Sequence, residues 1–169
     1  MPQPTQDEQV DEAVDGGQRW LSPSEKEAWT GAASLMLLLP GRLDAAVQRA
    51  AGLSLFEYLT LSHMSEAEDR RLVMSELAYL TNGSLPRLSN VMKRFEARGW
   101  AHRYPDPEDR RCTIAALTDE GYAKVVEAAP AHLRSVREHV LDPLTATDQR
   151  ALARIAAKLR TRPEDFPAP

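Results

Sequence analysis

The sequence SELAYLTNGSLPRLSNVMKRFEARGWAHRYPDPEDRRCTIAAL, from Ser75 to Leu117, decides the fold of this chain. Its pattern predicts a short helix, a turn at Asn82-Gly83 and a second helix over Ser84–Arg98. Two short apolar runs follow, joined by a loop that contains arginines. A helix, a short glycine-containing turn and a second helix form a helix-turn-helix, and the two runs predict a β-hairpin, or wing, beside it.

The predicted second helix has two unlike faces. An arc of about 120° holds its large apolar side chains, which are Leu85, Leu88, Val91, Met92 and Phe95. The opposite face carries Pro86, Arg87, Ser89, Asn90, Lys93, Arg94 and Ala97, with Arg98 at its edge. We expect the apolar side to pack on a core. The cationic side suits a DNA major groove, where cations meet phosphates and polar side chains reach base edges.

Charge is distributed unevenly along the chain, whose net charge is −4. Residues 84–111 hold seven Arg and Lys against four acidic residues, a local charge of +3. Residues 1–34 hold seven acidic residues against one Arg and one Lys, a local charge of −5. A basic segment in an acidic chain is compatible with a protein that binds nucleic acid.

The sequence before this segment predicts two helices with capping boxes, at Ser22-Pro23-Ser24-Glu25 and Ser54-Leu55-Phe56-Glu57. Gly52 is expected to end the first helix, and Pro40 to kink or break it. The second should continue to about Ser65.

Shorter elements are predicted next. Leu72–Met74 is a candidate edge strand, and Ser75 should cap a helix over Glu76–Thr81. Strands are expected at Trp100–Tyr104 and Cys112–Leu117, with the loop Pro105–Arg111 between them.

Two helices are predicted at the carboxyl end. Thr118 starts the longer one, in which Pro130 should produce a bend, and Thr145–Asp148 caps the last. The apolar faces of the terminal helices are larger than a winged module can cover. We therefore expect them to pack against a second copy of the chain as a homodimer.

These elements predict a mainly α fold with a small β-hairpin wing (α+β), a winged helix-turn-helix with N- and C-terminal dimerisation helices. The predicted organisation is an acidic disordered tail over 1–17, an N-terminal dimerisation helix over 18–53, a DNA-binding domain over 54–117, C-terminal dimerisation helices over 118–162 and a tail over 163–169.

Other functional classes have little support in the sequence. We find no nucleophile–base set and no glycine-rich cradle, so no catalytic residue, cofactor or metal site is predicted and the chain is not expected to be an enzyme. The four histidines, His63, His102, His132 and His139, lack metal-ligand spacing and are interpreted as surface or interface residues.

The single cysteine, Cys112, excludes an internal disulfide and suits a reducing cytoplasm. We interpret it as a small apolar strand residue rather than a redox sensor. There is no apolar run long enough to span a bilayer and no secretion signal at the N-terminus, so we expect a cytoplasmic protein with no membrane partner. Trp20, Trp29 and Tyr58 are expected in the core or at the dimer contact, or around an aromatic-lined effector pocket.

Several motifs together resemble the MarR family of bacterial transcriptional regulators. They are Gly52-Leu53-Ser54, Met74-Ser75-Glu76-Leu77-Ala78, Arg98-Gly99-Trp100, Asp109-Arg110-Arg111 and Leu117-Thr118-Asp119-Glu120-Gly121. The resemblance covers about residues 22–160, and the wing motif with the Leu-Thr-Asp-Glu-Gly after it is its most specific part.

The resemblance implies a homodimer whose two winged lobes hold a pseudo-palindromic double-stranded DNA operator, with a small-molecule effector often bound between the dimer region and a lobe. It implies DNA contacts from the recognition helix, for which the candidates are Ser84, Leu85, Pro86, Arg87, Ser89, Asn90, Lys93 and Arg94. In the wing, Asp109 would hold the loop, Arg111 would enter the minor groove and Arg110 would contact a phosphate. Pro86 departs from many family members and donates no hydrogen bond to a base.

The sequence as a whole favours a sequence-specific DNA-binding regulator, a repressor that leaves its operator when an effector binds. Arg87, Ser89 and Asn90 are the expected specificity residues, since Arg suits guanine and Asn suits adenine. Two alternatives stay open. Arg110 and Arg111 can pair locally with Asp106, Glu108 and Asp109, and the winged helix can be a protein-interaction or dimerisation module that does not bind DNA.

Overall fold

A computed structural model describes residues 19–159 of the chain. The predicted tails over 1–17 and 163–169 lie outside the described residues. The elements in chain order are α1 (Pro23–Ala51), α2 (Leu55–Glu66), β1 (Arg71–Val73), α3 (Met74–Leu80), α4 (Leu85–Ala97), β2 (Ala101–Pro105), β3 (Thr113–Leu117), α5 (Asp119–Val136) and α6 (Ala146–Leu159). A 3-10 turn over Glu68–Arg70 precedes β1, and a π-helical turn over Arg137–Leu141 follows α5.

Two compact units divide the chain between Leu39 and Pro40, inside α1. The first contains the start of α1, where Ser22 and Glu25 form the predicted capping box: the Ser22 amide donates to Glu25 Oε2 at 2.8 Å, and the Glu25 amide donates to Ser22 Oγ at 3.3 Å. The second unit contains the core and every element from α2 onward.

The core of the second unit lies among α2, α3, α4, α5 and the sheet. Its buried side chains include Phe56 and Leu61 of α2, Leu77 of α3, Phe95 of α4 and Val125 of α5. The sheet has the order β1-β3-β2 and is antiparallel throughout, so β1 is an edge strand and β2 and β3 form the hairpin. The predicted mainly α winged helix-turn-helix is confirmed. The dimerisation role of its terminal helices stays a prediction.

Local capping fixes the start of α2. The Ser54 and Glu57 side chains each accept a hydrogen bond from the other residue's backbone N–H, which is the predicted capping box. Asp44 of α1 adds a tertiary contact, because its Oδ1 accepts a hydrogen bond from the Leu55 amide at 2.7 Å. The amino end of α2 is therefore held both by its own first turn and by α1.

The predicted cap at Ser75 is wrong. Of the two effects predicted for Pro40, the break is wrong and the kink stays a prediction. Ser75 does not cap α3: the helix begins at Met74, and its N-cap residue Val73 makes no side-chain capping bond. The pairing of β1 ends at Val73 and the Met74 side chain is buried, so the helix starts directly from the strand. Pro40 does not break α1, which runs through it to Ala51. A proline removes only one backbone donor, and the other turns of a long helix keep their bonds.

The predicted aromatic contacts differ between the three residues. Tyr58 lies in the core, with an exposed fraction of 5%. Trp20 and Trp29 are 69% and 57% exposed, so the core role is wrong for both. Their contact at a dimer interface or around an effector pocket stays a prediction.

Alanine substitutions at two helical glycines should change stability in opposite directions, one through packing and the other through helix propensity. A Cβ on Gly121, near the start of α5, would overlap the Trp100 carbonyl oxygen and the Leu117 side chain, whereas a Cβ on Gly41 of α1 would have no neighbour within 4 Å. We expect Gly121→Ala to lower the free energy of unfolding by about 1–3 kcal/mol through overpacking. The control Gly41→Ala should raise it by up to about 1 kcal/mol through helix propensity. Urea unfolding followed by circular dichroism measures both, and equal effects would contradict the packing account.

Candidate nucleic-acid interface

The recognition helix α4 is fixed by its apolar stripe and its N-cap. Ser84 is the N-cap residue, and its Oγ accepts a hydrogen bond from the Arg87 amide at 3.4 Å. Pro86 lies in the first turn, where its missing N–H has no helical partner to lose. Four of the five predicted apolar positions are buried: Leu88, Val91, Met92 and Phe95.

Leu85 is the exception, because its side chain is 50% exposed and the stripe therefore begins one turn later than predicted. Leu85 thus lies on the apolar side of α4 but is left partly in solvent in the first turn. The opposite, polar face exposes Pro86, Arg87, Asn90, Lys93 and Arg94, while Ser89 is half-buried. The structure thus brings most of the recognition-helix candidates to one exposed surface.

Arg87 stacks on an aromatic ring. Its guanidinium carbon lies 4.0 Å from the centroid of the Phe56 ring, a cation–π contact that joins α4 to α2. The Arg87 side chain remains exposed. The stack restricts the guanidinium of a proposed base-reading residue without burying it.

Arg94 forms an ion pair with Glu57 of α2. Its Nε and Nη2 donate hydrogen bonds to Glu57 Oε1 at 3.2 and 2.9 Å. The Glu57 side chain is 11% exposed and the Arg94 side chain 51%. Burial by itself would raise the pKa of Glu57, but the hydrogen bonds from the Ser54 amide and from Arg94 outweigh it and hold that pKa below its usual value. Glu57 is therefore a charged partner that the sequence analysis missed.

Arg103 of β2 ties the wing to α4. Its Nε and Nη2 donate to the two oxygens of Glu96 at 2.8 and 2.7 Å, and its Nη1 donates to Ser89 Oγ at 3.1 Å. The hydrogen bonds from Arg103 lower the pKa of Glu96. Ser89, expected to read bases, thus already accepts one hydrogen bond at its Oγ. The charge of Arg103, counted in the basic segment, is neutralised by Glu96.

The wing loop is organised by Asp109 and Arg111. Asp109 Oδ1 accepts a hydrogen bond from the Arg111 amide at 3.0 Å, and Asp109 Oδ2 accepts one from Arg111 Nη2 at 2.8 Å. The Arg111 side chain is nevertheless 90% exposed. The hydrogen bonds from the Arg111 side chain and amide lower the pKa of Asp109 to about 2.

One of the two local pairings left open by the sequence is therefore present, that of Arg111 with Asp109. Arg110 is exposed and makes no hydrogen bond or ion pair with another residue of 19–159. Its side chain is available to a partner at the tip of the wing.

Cys112 and the histidines occupy varied settings. Cys112 is half-buried beside the wing loop, its Sγ 3.9 Å from Asp109 Oδ2. His132 of α5 stacks on Tyr58 with ring centroids 4.6 Å apart, and burial lowers the pKa of the imidazole. Within the described residues, no three or more His, Cys, Asp or Glu side chains converge on a site that could hold a metal ion.

None of the helices over 19–159 combines the length and the apolar character needed to cross a membrane.

Comparison with known proteins finds transcriptional regulators, several of them of the MarR family. A family model described as MarR family matches residues 51–111. The structure is similar to that of Sco3205, a MarR family transcriptional regulator from Streptomyces coelicolor solved in complex with DNA. The identity is 36%, the TM-score is 0.81, and the match covers 90% of this chain and 97% of that one.

Two further similar proteins are also transcriptional regulators. AbsC, a MarR family transcriptional regulator from Streptomyces coelicolor, is 36% identical with a TM-score of 0.74, covering 85% of this chain and 99% of that one. The transcriptional repressor MprA of Escherichia coli K12 is 25% identical over 114 residues, which are 68% of this chain. That match spans 64% of the length of MprA.

The wing ion pair predicts an acid titration that NMR of the side-chain carboxyl carbons can follow. The lowered pKa of Asp109 means that its pairing with Arg111 is complete above about pH 4 and is lost as the pH falls toward 2. We expect a midpoint of about 2 for Asp109, and Arg111→Ala should raise it toward the ordinary value of 3.8. The control Arg110→Ala should leave it unchanged. A wild-type midpoint near 3.8 would contradict the pairing.

Proposed function

Since the chain belongs to the MarR family of transcriptional regulators, we propose that it binds double-stranded DNA through the outer face of α4 and the wing. The observation that carries the proposal is the exposed cationic surface of α4, next to a wing that exposes two more arginines. The cations on α4 are Arg87, Lys93 and Arg94, and those on the wing are Arg110 and Arg111. These cations would release counterions from the DNA backbone and make affinity fall steeply with salt.

The proposed contacts divide by type. Arg87 and Asn90 read base edges in the major groove, where Arg pairs with guanine and Asn with adenine. Lys93 and Arg94 contact phosphates. Arg111 enters the minor groove, where narrow sections attract arginine, and Arg110 contacts a backbone phosphate. Ser89, held by Arg103, would act mainly by orienting the wing against α4.

We further propose that two chains form a homodimer on a pseudo-palindromic operator. Large apolar side chains are exposed on the first half of α1 and on α6, and burying them needs a partner. They are Leu35, Met36, Leu37 and Leu38 on α1 and Leu152, Ile155 and Leu159 on α6. Two-fold symmetry would set the half-sites about one helical turn, or about 34 Å, apart.

The proposed outcome is repression relieved by a small-molecule effector. A cleft of about 400 Å³ supports the effector, because Arg87 of the recognition helix lies in its wall. The other lining residues are Pro40, Gly41, Asp44, Ser54, Leu55, Phe56 and Leu59. A molecule bound there would act on the Arg87 side chain. The alternative function, a protein-interaction module, would favour an apolar or acidic outer face on α4, whereas the described one is cationic.

The DNA proposal is tested by selecting sequences from a random pool and titrating selected and random DNA at two salt concentrations. We expect Arg111→Ala to weaken binding to both by about tenfold and to reduce the salt slope by about one. Arg87→Ala should cost about 1–3 kcal/mol on the selected sequence and relax preference at one base per half-site. Arg134→Ala, which removes an exposed arginine of α5, is the control. If Arg111→Ala and Arg87→Ala both bind DNA as tightly as the wild type at moderate salt, the assignment of these residues to the interface is wrong.

The dimer proposal is tested by placing a charge on the apolar surface of α1. Leu37 is 81% exposed, so Leu37→Glu should be tolerated by the fold of one protomer while preventing burial against a second. Sedimentation velocity is expected to show a dimer for the wild type and a monomer for the variant. The same charge at exposed Ala97 of α4 should leave the dimer intact. A wild-type monomer at micromolar concentration would contradict the proposal.

A further inference from the structure

Glu57 is a buried charge next to the proposed DNA-binding surface, although the residue belongs to α2. Its two carboxylate oxygens have separate partners. Oε2 accepts hydrogen bonds from the Ser54 amide and the Ser54 hydroxyl, both at 2.9 Å, while Oε1 accepts both bonds from Arg94. One oxygen is thus anchored to the first turn of its own helix, and the other holds a residue of the recognition helix.

The anchor is rigid for three reasons. The capping box fixes the Glu57 side chain against α2, and Asp44 of α1 holds the same end of α2 through the Leu55 amide at 2.7 Å. The Glu57 side chain is also almost wholly buried. The position of the carboxylate is therefore fixed, and it determines where the Arg94 guanidinium lies when the two residues are paired.

Arg94 keeps donors for a second partner while it is held. A guanidinium has five N–H groups, of which Glu57 takes two. Nη1 donates a third, long hydrogen bond to the Asn90 carbonyl oxygen of the same helix, at 3.4 Å. The side chain is half exposed, so donors on Nη1 and Nη2 remain for a group approaching from outside.

We propose that Glu57 is a positioning residue that orders the Arg94 guanidinium for contact with a DNA phosphate. The inference rests on the proposed DNA binding and names a residue outside α4 and the wing as part of it. An arginine side chain loses rotamer freedom when it binds, and a partner that orders it beforehand removes that cost from the binding step.

The direction in which one substitution changes DNA affinity distinguishes this role from a simple electrostatic effect of Glu57. Glu57 brings a negative charge close to the DNA, so removing that charge should strengthen binding if charge alone matters. Positioning requires the opposite result. Glu57→Gln suits the test because Gln also completes a capping box, which leaves the start of α2 intact while the ion pair is lost.

The experiment measures affinity for the selected DNA by fluorescence anisotropy, with the melting temperature of every variant recorded. We expect Glu57→Gln to weaken binding about tenfold, the size of a lost charge-assisted hydrogen bond. The matched control is Glu66→Gln, which removes the same charge from the exposed carboxyl end of α2, where Glu66 accepts a hydrogen bond from Ser62 at 3.3 Å, and it should bind within about twofold of wild type. Glu57→Gln should have no further effect in an Arg94→Ala background.

A second variant covers the case in which Glu57→Gln does not fold. Arg94→Lys keeps the charge of a half-exposed side chain but cannot make the two-donor contact with Glu57, and it should also weaken binding by several-fold. In the free protein, NMR should show the Arg94 Nε–H protected from exchange in the wild type and unprotected in Glu57→Gln.

Unchanged or tighter binding by Glu57→Gln, or an equal loss in the Arg94→Ala background, would overturn the inference. Wild-type affinity for Arg94→Lys would do the same. These failures differ from failure of the proposed function, in which the wild type itself would not prefer the selected DNA to random DNA.

Discussion

Burial of the apolar side of α4 is the constraint on which the rest of the structure depends. Leu88, Met92 and Phe95 have no exposed surface, and burying each such side chain contributes about 1.5–3 kcal/mol. Their spacing places the opposite side of the helix in solvent, because residues three and four apart share a face. The polar surface is thus a consequence of the packing, and its orientation depends on the stability of the core on which α4 packs.

Several cations of that surface are paired or stacked, so their side chains are ordered and part of their charge is neutralised. Arg94 and Arg103 both pair with carboxylates, so the potential around α4 is lower than a count of its cations indicates. The pairs also join α4 to α2 and to β2, and Arg87 stacks on the Phe56 ring of α2. Side chains that are held before a ligand arrives lose less freedom on binding. Such an interface attracts an anionic ligand less strongly at long range, but its side chains are already positioned when the ligand binds.

The terminal helices present the opposite situation, because they leave large apolar side chains exposed. The last helix, α6, has no buried residue, and the first half of α1 exposes several large apolar side chains. Exposed apolar patches of this kind are the observation behind the proposed homodimer. Trp29 lies on the same part of α1 and is also exposed, so it does not belong to the core.

The sequence by itself determined the features that depend on near neighbours in the chain. The capping boxes at Ser22 and Ser54, the helix end at Gly52 and the polar face of α4 follow from contacts within one or two helical turns. Tertiary structure decided what joins distant segments. The pairing of Glu57 with Arg94 spans 37 residues, and the α3 start at Met74 depends on where β1 stops pairing. Such contacts depend on how elements pack in three dimensions, which spacing along one segment does not encode.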